Sequence, residues 1–376
     1  MYLTRLLQLM SERAASDLFI SAGAPIHLKI NNDTLPVSTQ IIDAETAKKI
    51  AYEVMSEDEI ERFERDWEMN LSHIEPDFGN FRINVMRQRG SVSMVVRYIR
   101  SSIPSFTSLN LPPVLLDLAL ERRGLILVVG STGSGKSTTL ASMIDHRNSS
   151  ASGHILTIED PIEFVHHHKK SVIGQREIGI DTHSYGDALK NALREAPDVI
   201  LIGEVRDAET MKYSISYAET GHLCLSTLHA NHANGALERI INFFPEIARP
   251  QLLMDLSQNL RAIVSQRLII GVDGRRVPAV EIMLNTPYIS ELILKGKFES
   301  IKEAMAQGTE IGMKTFDQAL YDLYKGGRIS KDEAVRNADS RNNVSLQIRL
   351  SEGMGQGKAA PDPLGASLKV TPKDVR

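Results

Sequence analysis

Short, nearly continuous apolar runs alternate with amphipathic stretches through the middle of the chain. Four of these runs are LILVV (Leu125–Val129), HILTI (154–158), DVILI (198–202) and HLCLST (222–227). Strands that are buried on both faces of a parallel sheet have this pattern. The stretches YGDALKNALREA and DAETMKYSISYAETG lie between them and have helical periodicity. The alternation predicts an α/β domain with crossover helices.

The first hundred residues have a different pattern. DLFIS and IHLKI are short β-type runs, DAETAKKIAYEVM is amphipathic, and two alternating runs meet at Arg89-Gly90 as a hairpin. We predict a small α+β domain over residues 1–100 and a linker over the proline-punctuated residues 101–113. The α/β domain then covers 114–338, mostly helical after Pro245, and the Gly-, Pro- and Ala-rich residues 339–376 are predicted to be a disordered tail.

Composition narrows the class of protein. The 376 residues are 42% hydrophobic and 24% charged, which is typical of a soluble globular protein with a sizeable core. A net charge of −4 disfavours a protein that binds duplex nucleic acid. The single cysteine excludes an internal disulfide and a four-cysteine zinc site. No stretch reaches the ~18 apolar residues of a membrane span, and the N-terminus lacks a secretory signal, so we expect a cytoplasmic protein.

One loop has a specific chemical signature. GSTGSGKST, residues 130–138, fits G-x-x-x-x-G-K-[ST] between a predicted strand and a predicted helix. The glycines let backbone N–H groups curl around phosphates, and the helix N-terminus adds further donors. Lys136 can reach the β- and γ-phosphates and the Ser137 hydroxyl can bind Mg²⁺. We predict ATP and Mg²⁺ as cofactors, with ATP bound by Ser131, Thr132, Gly133, Ser134, Gly135, Lys136, Ser137 and Thr138.

Two of the apolar strands end in acidic residues. Glu204 follows VILIG and can contact Mg²⁺ through water or orient the attacking water. The second group, TIEDPIEF, contains Glu159, Asp160 and Glu163, and its alternative interpretation is a solvated acidic loop. The tract VHHHKK that follows it is interpreted as an exposed loop. Because ligands bind at the carboxyl ends of strands in open α/β sheets, both groups are candidates for nucleotide hydrolysis.

The segment TGHLCLSTLHANHANGA places His222, Cys224, His229 and His232 within eleven residues. This density suggests a metal site. Strand alternation directs His222 and Cys224 to one face, whereas the other two histidines follow the end of the strand, and a strand cannot direct both of its ends at one ion. We interpret Cys224 as a buried apolar residue and the segment as part of the nucleotide site.

The combination and order of four boxes resemble the secretion/type IV pilus ATPase superfamily. The boxes are GSTGSGKSTT, TIEDPIEF, VILIGEVRDAET and AETGHLCLSTLHANHA. ASDLFISAGAPIHLKI resembles the N-terminal domain of its retraction ATPases, with Phe19 where the family usually has His. The resemblance is greater to the PilU branch than to PilT. It implies a RecA-like P-loop domain with a parallel-sheet core, preceded by a small α+β (PAS-like) N-terminal domain and followed by C-terminal helices.

The resemblance also implies roles for individual residues. Glu163 would polarise the attacking water, and Glu204 would be the Walker B acid, which with Ser137 would bind Mg²⁺ directly or through water. Arg82 and Arg97 of the N-terminal hairpin would swing over the nucleotide and neutralise charge in the transition state. The alternative for these two arginines is that they are ordinary charged residues on the surface of a strand.

Two histidines receive a role from the same resemblance. His222 and His229 would sense the γ-phosphate or brace the neighbouring subunit. An imidazole suits phosphate sensing because it offers one donor and one acceptor.

The function implied is an ATP-hydrolysing homohexameric motor that powers or assists type IV pilus retraction and twitching motility. Its expected partners are a PilT-like retraction ATPase and the inner-membrane platform protein, which it contacts peripherally, without direct binding of nucleic acid. YISELILKG has Ser290 and Leu294 where the PilT-type motif AIRNLIRE has arginines, which favours a PilT-dependent accessory motor. The alternatives are a pilus-assembly or type II secretion ATPase, a nucleic-acid translocase, and a non-hydrolysing scaffold.

Overall fold

The computed structural model describes residues 2–30, 33–99 and 102–355. Two sheets organise these residues, one of six strands in the N-terminal domain and one of seven strands in the domain that follows. Each sheet has its own buried apolar core. The predicted combination of an α+β and an α/β domain is therefore confirmed.

The N-terminal domain is an antiparallel sheet in the order β3-β2-β1-β6-β5-β4, packed against helices. Its first helix buries one face through Leu3, Leu6, Leu7 and Met10, as its periodicity indicates. The elements are α1 (Tyr2–Glu12), β1 (Asp17–Ser21), β2 (Pro25–Ile30), β3 (Asp33–Ile41), α2 (Ala44–Tyr52), α3 (Glu57–Asp66), β4 (Glu68–Glu75), β5 (Gly79–Gln88) and β6 (Ser91–Ile99).

Local sequence explains several of these boundaries. The Asp43 side chain accepts a hydrogen bond from the backbone N–H of Thr46 and begins α2, and a reciprocal capping box of Ser56 and Glu59 begins α3. The predicted hairpin of β5 and β6 is confirmed, with its turn at Arg89-Gly90. Strands β3 and β4 were not predicted. The side chains of β3 are mostly exposed, so this edge strand lacks the alternation that identifies a half-buried strand.

The second domain is built on a sheet in the order β13-β12-β7-β11-β10-β8-β9. All neighbouring strands are parallel except the edge pair of β12 and β13. The strands are β7 (Gly124–Val129), β8 (Gly153–Glu159), β9 (Ser171–Glu177), β10 (Val199–Ile202), β11 (Leu223–Leu228), β12 (Leu260–Ile270) and β13 (Arg276–Leu284).

The helices of this domain cover both faces of the sheet, and the last five of those given below follow the final strand, β13, along the chain. Every residue of β7 and β11 is buried, as expected of strands between two helical layers. The helices are α4 (Val114–Ala119), α5 (Lys136–Ser150), α6 (Tyr185–Ala192), α7 (Ala208–Glu219), α8 (Ala233–Asn242), α9 (Arg249–Asn259), α10 (Pro287–Leu294), α11 (Ile301–Gln307), α12 (Phe316–Lys325), α13 (Lys331–Asn337) and α14 (Arg341–Gly355).

Two predictions for the C-terminal part need correction. Residues after Pro245 are not mostly helical throughout, because β12 and β13 add an antiparallel pair to the main sheet. The predicted tail from residue 339 is wrong at its start, because α14 is a helix. Val344 and Ile348 of this helix are spaced four residues apart and pack against Phe316 of α12. Residues 356–376 of the predicted tail lie outside the described residues.

Within residues 2–30, 33–99 and 102–355, every helix falls short of the combined length and apolar character that crossing a bilayer requires.

Candidate nucleotide site

Four neighbouring strands deliver chemically active residues to one edge of the main sheet. The P-loop follows β7, His229 follows β11, Gly203-Glu204 follows β10, and β8 ends at Glu159. The strands are adjacent in the order β7-β11-β10-β8 and parallel, so their carboxyl ends form a continuous row. A cavity of about 460 Å³ opens along this row. The position agrees with the general location of ligand sites in open α/β sheets.

The P-loop forms one wall of this cavity. Six of its eight predicted residues line the wall, namely Thr132, Gly133, Gly135, Lys136, Ser137 and Thr138. The other two do not line it: the Ser134 hydroxyl is buried under the loop, and Ser131 contributes its backbone carbonyl as a hydrogen-bond acceptor to Lys136.

Glycine is required at two points of the loop. Gly135 has φ +90° and directly precedes α5, a conformation that residues with a Cβ rarely adopt. A Cβ on Gly130 would lie 2.6 Å from the backbone oxygen of Gln266 in β12. The glycines therefore let the loop curve tightly against β12, in the type of conformation that turns backbone N–H groups toward an anion.

Lys136 is almost completely buried at the floor of the loop. Its Nζ donates to the backbone oxygens of Gly130 at 2.9 Å and Ser131 at 3.0 Å. Burial lowers the pKa of this ammonium, and the charges of Glu204 and Glu163 partly oppose that shift. A cation held by two neutral carbonyls can exchange these weak partners for phosphate oxygens.

Glu204 lies half-buried at the tip of β10, with both carboxylate oxygens engaged. Oε1 is 3.0 Å from Nε2 of His229, and Oε2 accepts a hydrogen bond from Nε of Arg206 at 2.8 Å. Arg206 also donates to Asp160 at 3.1 Å and so joins the two acidic groups. Sequence reasoning missed Arg206. The only signal was its position two residues after the strand-end acid.

The acidic box forms the opposite wall. Glu159, Asp160, Glu163 and His166 all line the cavity, so the alternative of a purely solvated loop is wrong. The exposed-loop interpretation of VHHHKK is also wrong for His166, which is buried with its Nδ1 unpartnered among the described residues. Burial lowers the pKa of this imidazole to about 4, so it is neutral at pH 7.

Three predicted catalytic residues lie outside this cavity. Arg97 pairs with Asp17 in its own domain at 3.0 Å, and Arg82 lies 3.9 Å from Glu177 at the end of β9. His222 precedes β11 and contacts the backbone of Tyr217, at the opposite end of the strand from His229. The prediction that His222 senses the γ-phosphate is wrong within one chain, because the strand separates the two histidines by about 20 Å. Its alternative role as a subunit brace stays a prediction.

Comparison with known proteins identifies the group to which this site belongs. Residues 1–305 match the family model described as type II/IV secretion system protein. The chain is 47% identical over 371 residues to the type IV pilus ATPase PilU of Pseudomonas aeruginosa, covering 98% of this chain and 97% of that protein. This chain belongs to the type II/IV secretion system protein family.

Two further relatives support the same assignment. The type IV pilus retraction ATPase PilT of the same organism is 39% identical over 338 residues, which covers 90% of this chain and 98% of PilT. The crystal structure of the pilus retraction motor PilT with bound ADP superimposes with a TM-score of 0.84 and 41% identity, covering 91% of this chain and 99% of PilT. The predicted resemblance and the fold class are confirmed. This secretion ATPase binds nucleotide and hydrolyses ATP.

The histidine and cysteine residues that suggested a metal lie in separate environments in this secretion ATPase. Cys224 is fully buried in the core, where burial raises the pKa of its thiol to about 12. His229 is in the cavity, and His222 is at the other end of β11. His232 precedes α8 and lies 3.5 Å from Asp339. The four side chains cannot converge on one ion.

His232 belongs instead to a charged cluster in which His232, Arg267 and Lys302 surround Asp339. Asp339 forms an ion pair with Arg267 at 3.0 Å and accepts a hydrogen bond from Lys302 at 2.9 Å, and Nη2 of Arg267 lies 3.2 Å from His232. His232, Glu281 and Asp339 have ligand atoms within 4.8 Å of one another. Two cations already neutralise Asp339, so this cluster is better explained as an ion-pair network that joins α8 to the start of α14.

The donor set at the P-loop fits a hard cation. Ser137 and Glu204 both line the cavity and offer a hydroxyl and a carboxylate, the oxygen ligands that Mg²⁺ prefers. Because both oxygens of Glu204 already contact His229 or Arg206, contact through water fits better than direct ligation.

The Glu159 carboxyl gives this secretion ATPase a titratable group near neutrality. Burial raises its pKa from 4.5 to about 7, against the lowering effect of the hydrogen bond from Thr157. The folded chain therefore keeps this proton at pH values where the unfolded chain has lost it. Stability is lost as pH rises from about 4.5 to about 7, by up to about 3 kcal/mol.

We expect Glu159→Gln to flatten this dependence. In thermal unfolding without nucleotide, the variant should match the wild-type Tm near pH 5 and exceed it near pH 8, because the glutamine never ionises. Glu238→Gln on the exposed side of α8 is the matched control and should keep the wild-type profile. A wild-type chain whose Tm is constant between pH 5 and 8 would show that Glu159 titrates normally.

Proposed function

We propose that the chain is a Mg²⁺-dependent hexameric motor whose ATP hydrolysis assists type IV pilus retraction. The observation that supports it is the meeting of Lys136, Glu204, His229 and Glu163 around one cavity at the strand ends. This is the set of cation, metal-binding acid, phosphate sensor and water-activating acid that phosphoryl transfer to water needs. Because the chain resembles PilU and PilT, we infer that the energy of this hydrolysis is used for pilus retraction.

Each residue of the site has a proposed task. Lys136 holds the β- and γ-phosphates, and Ser137 and Glu204 hold Mg²⁺, which neutralises phosphate charge when it is bound. Glu163 lies exposed in the cavity and orients the attacking water. His229 reports the state of the γ-phosphate to Glu204 through their 3.0 Å contact.

A smaller cavity beside the P-loop is the proposed binding site of the adenine base of ATP. It has a volume of about 240 Å³ and shares Gly135, Thr138 and Leu268 with the main cavity. Arg276 and Arg328 also line it. A planar base can stack on guanidinium groups while its phosphates lie in the P-loop.

A hexameric ring would explain why Arg82 and Arg97 lie outside the cavity of their own chain. Each arginine can reach a nucleotide only if the N-terminal domain moves or if the arginine serves a neighbouring subunit. Charge neutralisation by such arginines is worth roughly 10³–10⁵ in rate in other P-loop enzymes. His222, at the far end of β11, is available to brace a neighbouring subunit.

The accessory role rests on α10. Ser290 donates a hydrogen bond to the backbone oxygen of Ser257 in α9, and Leu294 is half-exposed. Neither residue supplies the positive charge found in the PilT-type motif. We infer a cytoplasmic motor, peripheral at the inner membrane, that acts on the platform protein together with a PilT-like ATPase.

Genetic complementation tests this proposal. A strain that lacks the gene should regain full retraction with wild type and not with Lys136→Ala, and removal of the PilT-like ATPase should abolish the gain. Retraction is scored by twitching and by direct observation of labelled pili. Retraction by wild type without the PilT-like ATPase would refute the accessory role, and an unchanged pilus phenotype in every background would refute the motor function.

A further inference from the structure

Glu177 is a buried carboxylate that the proposed hydrolytic steps do not use. It ends β9 directly beside Glu159 of β8, so it extends the row of strand ends that forms the nucleotide site. Only 4% of the residue is exposed, yet its Oε1 accepts no hydrogen bond from the described residues. Burial raises its pKa. A buried acceptor in this state requires a structural or functional reason.

The other oxygen of Glu177 holds the acidic box. Oε2 accepts a hydrogen bond from the backbone N–H of Ile162 at 3.1 Å, next to Glu163. The backbone N–H of Glu177 is itself held by Asp181 at 2.8 Å. Glu177 therefore fixes the main chain that carries the proposed water-activating residue.

The free oxygen faces an arginine of the other domain. Nη2 of Arg82 lies 3.9 Å from Oε1, too long for a hydrogen bond but within the distance of an ion pair, and the carboxylate side of this pair is buried. Arg82 stands opposite Arg97 in the β5–β6 register, and like charges in this position repel. Arg97 is neutralised by Asp17 of its own domain, whereas the ion pair of Arg82 crosses to the ATPase domain.

We propose that Glu177 is a positioning residue that holds Arg82 outside the nucleotide cavity through this ion pair and yields it to ATP when ATP binds. Phosphate oxygens compete well for a guanidinium group, because they carry more charge and accept bidentate hydrogen bonds. Arg82 must leave this ion pair before it can contact the nucleotide, so the free energy of the ion pair is subtracted from the free energy of nucleotide binding. The inference rests on the proposed ATPase site and adds a link between that site and the N-terminal domain.

Two substitutions at Glu177 separate its two tasks. Glu177→Gln keeps an acceptor for Ile162 but loses the charge, so the Kd for a non-hydrolysable ATP analogue should fall at least about threefold, with kcat changed less than that. Glu177→Ala loses both contacts and should lower kcat roughly 10–100-fold, because the acidic box is no longer fixed. Weaker analogue binding in both variants would indicate a merely structural role and overturn the proposal.

A second background tests whether Arg82 is the partner. In Arg82→Gln, the further change Glu177→Gln should leave analogue affinity unchanged. A threefold gain that persists there would overturn the pairing. Glu195→Gln removes a carboxylate that pairs with Arg176 at 2.8 Å within the same domain, and this matched control should leave analogue affinity unaltered.

A nucleotide-free measurement keeps the test independent of catalysis. Spin labels at Glu61→Cys and Ser216→Cys, exposed positions in the two domains, report the distance between the domains, and the native Cys224 is buried. Glu177→Gln and Arg82→Gln should broaden the distance distribution equally and not additively. Unchanged distributions would refute the ion-pair contact. If instead wild type fails to bind the analogue while the labels respond as expected, the proposed ATPase site fails and the contact stands.

Discussion

Replacing Lys136 by alanine is expected to lower ATP turnover by at least ~10²–10³-fold. The lysine is the cation at the floor of the P-loop, and loss of one preorganised donor to developing charge costs this much in other enzymes. The substitution also removes the two hydrogen bonds that Nζ donates to backbone oxygens of the loop. We expect only a small change in Tm, because the loss of these two hydrogen bonds is offset by removal of a charge that folding desolvates. Steady-state phosphate release and thermal unfolding measure the two effects.

A matched lysine controls for the loss of charge. Lys297→Ala removes an exposed lysine that follows α10 and should keep wild-type turnover. Analogue binding should weaken in Lys136→Ala and stay normal in Lys297→Ala. If Lys136→Ala hydrolyses ATP within tenfold of wild type, the P-loop is not the site of hydrolysis.

Glu163→Gln is expected to separate binding from turnover. The glutamine is nearly isosteric and keeps the acidic box folded, but its amide cannot polarise the attacking water, so kcat should fall roughly 10²–10⁴-fold. The side chain is exposed in the cavity, and thus the Kd for ATP and the Tm should remain near those of wild type. Equilibrium binding and single-turnover hydrolysis on the same preparation measure the separation.

Two comparisons make this result specific to Glu163. Glu238→Gln, an exposed glutamate of α8, should hydrolyse ATP normally. Glu159→Gln, in the same acidic box, tests the competing carboxylate that lines the same cavity. Wild-type turnover in Glu163→Gln together with loss of turnover in Glu159→Gln would transfer the water-activating role to Glu159.

Much of the nucleotide site was predictable because its parts are local. The P-loop is nine consecutive residues, and its strand, glycines and helix start are all encoded within that stretch. Each strand-end acid directly follows its own apolar run, as Glu204 follows VILIG. Parallel strands then bring these ends to one edge, so a correct prediction of the strands was enough to place Lys136, Glu204 and Glu163 together.

The misplaced residues share a different property. Arg206 bonds to Asp160, which is 46 residues away along the chain. His166 lies in a histidine tract that looks exposed, and only the packing of its loop against α5 and β9 buries it. His222 was assigned by resemblance to the same site as His229, and the length of the strand between them excludes this within one chain.

The sequence by itself determined the fold class, the P-loop chemistry and the relation to pilus ATPases, because these depend on spacing within short segments. Only the tertiary structure decided which charges meet. The pairs His229–Glu204, Arg206–Asp160 and Arg82–Glu177 depend on the strand order β11-β10-β8-β9 and on the contact of two domains. Spacing along the chain carries no record of that order, since parallel strands can be arranged in many orders by crossovers of similar length.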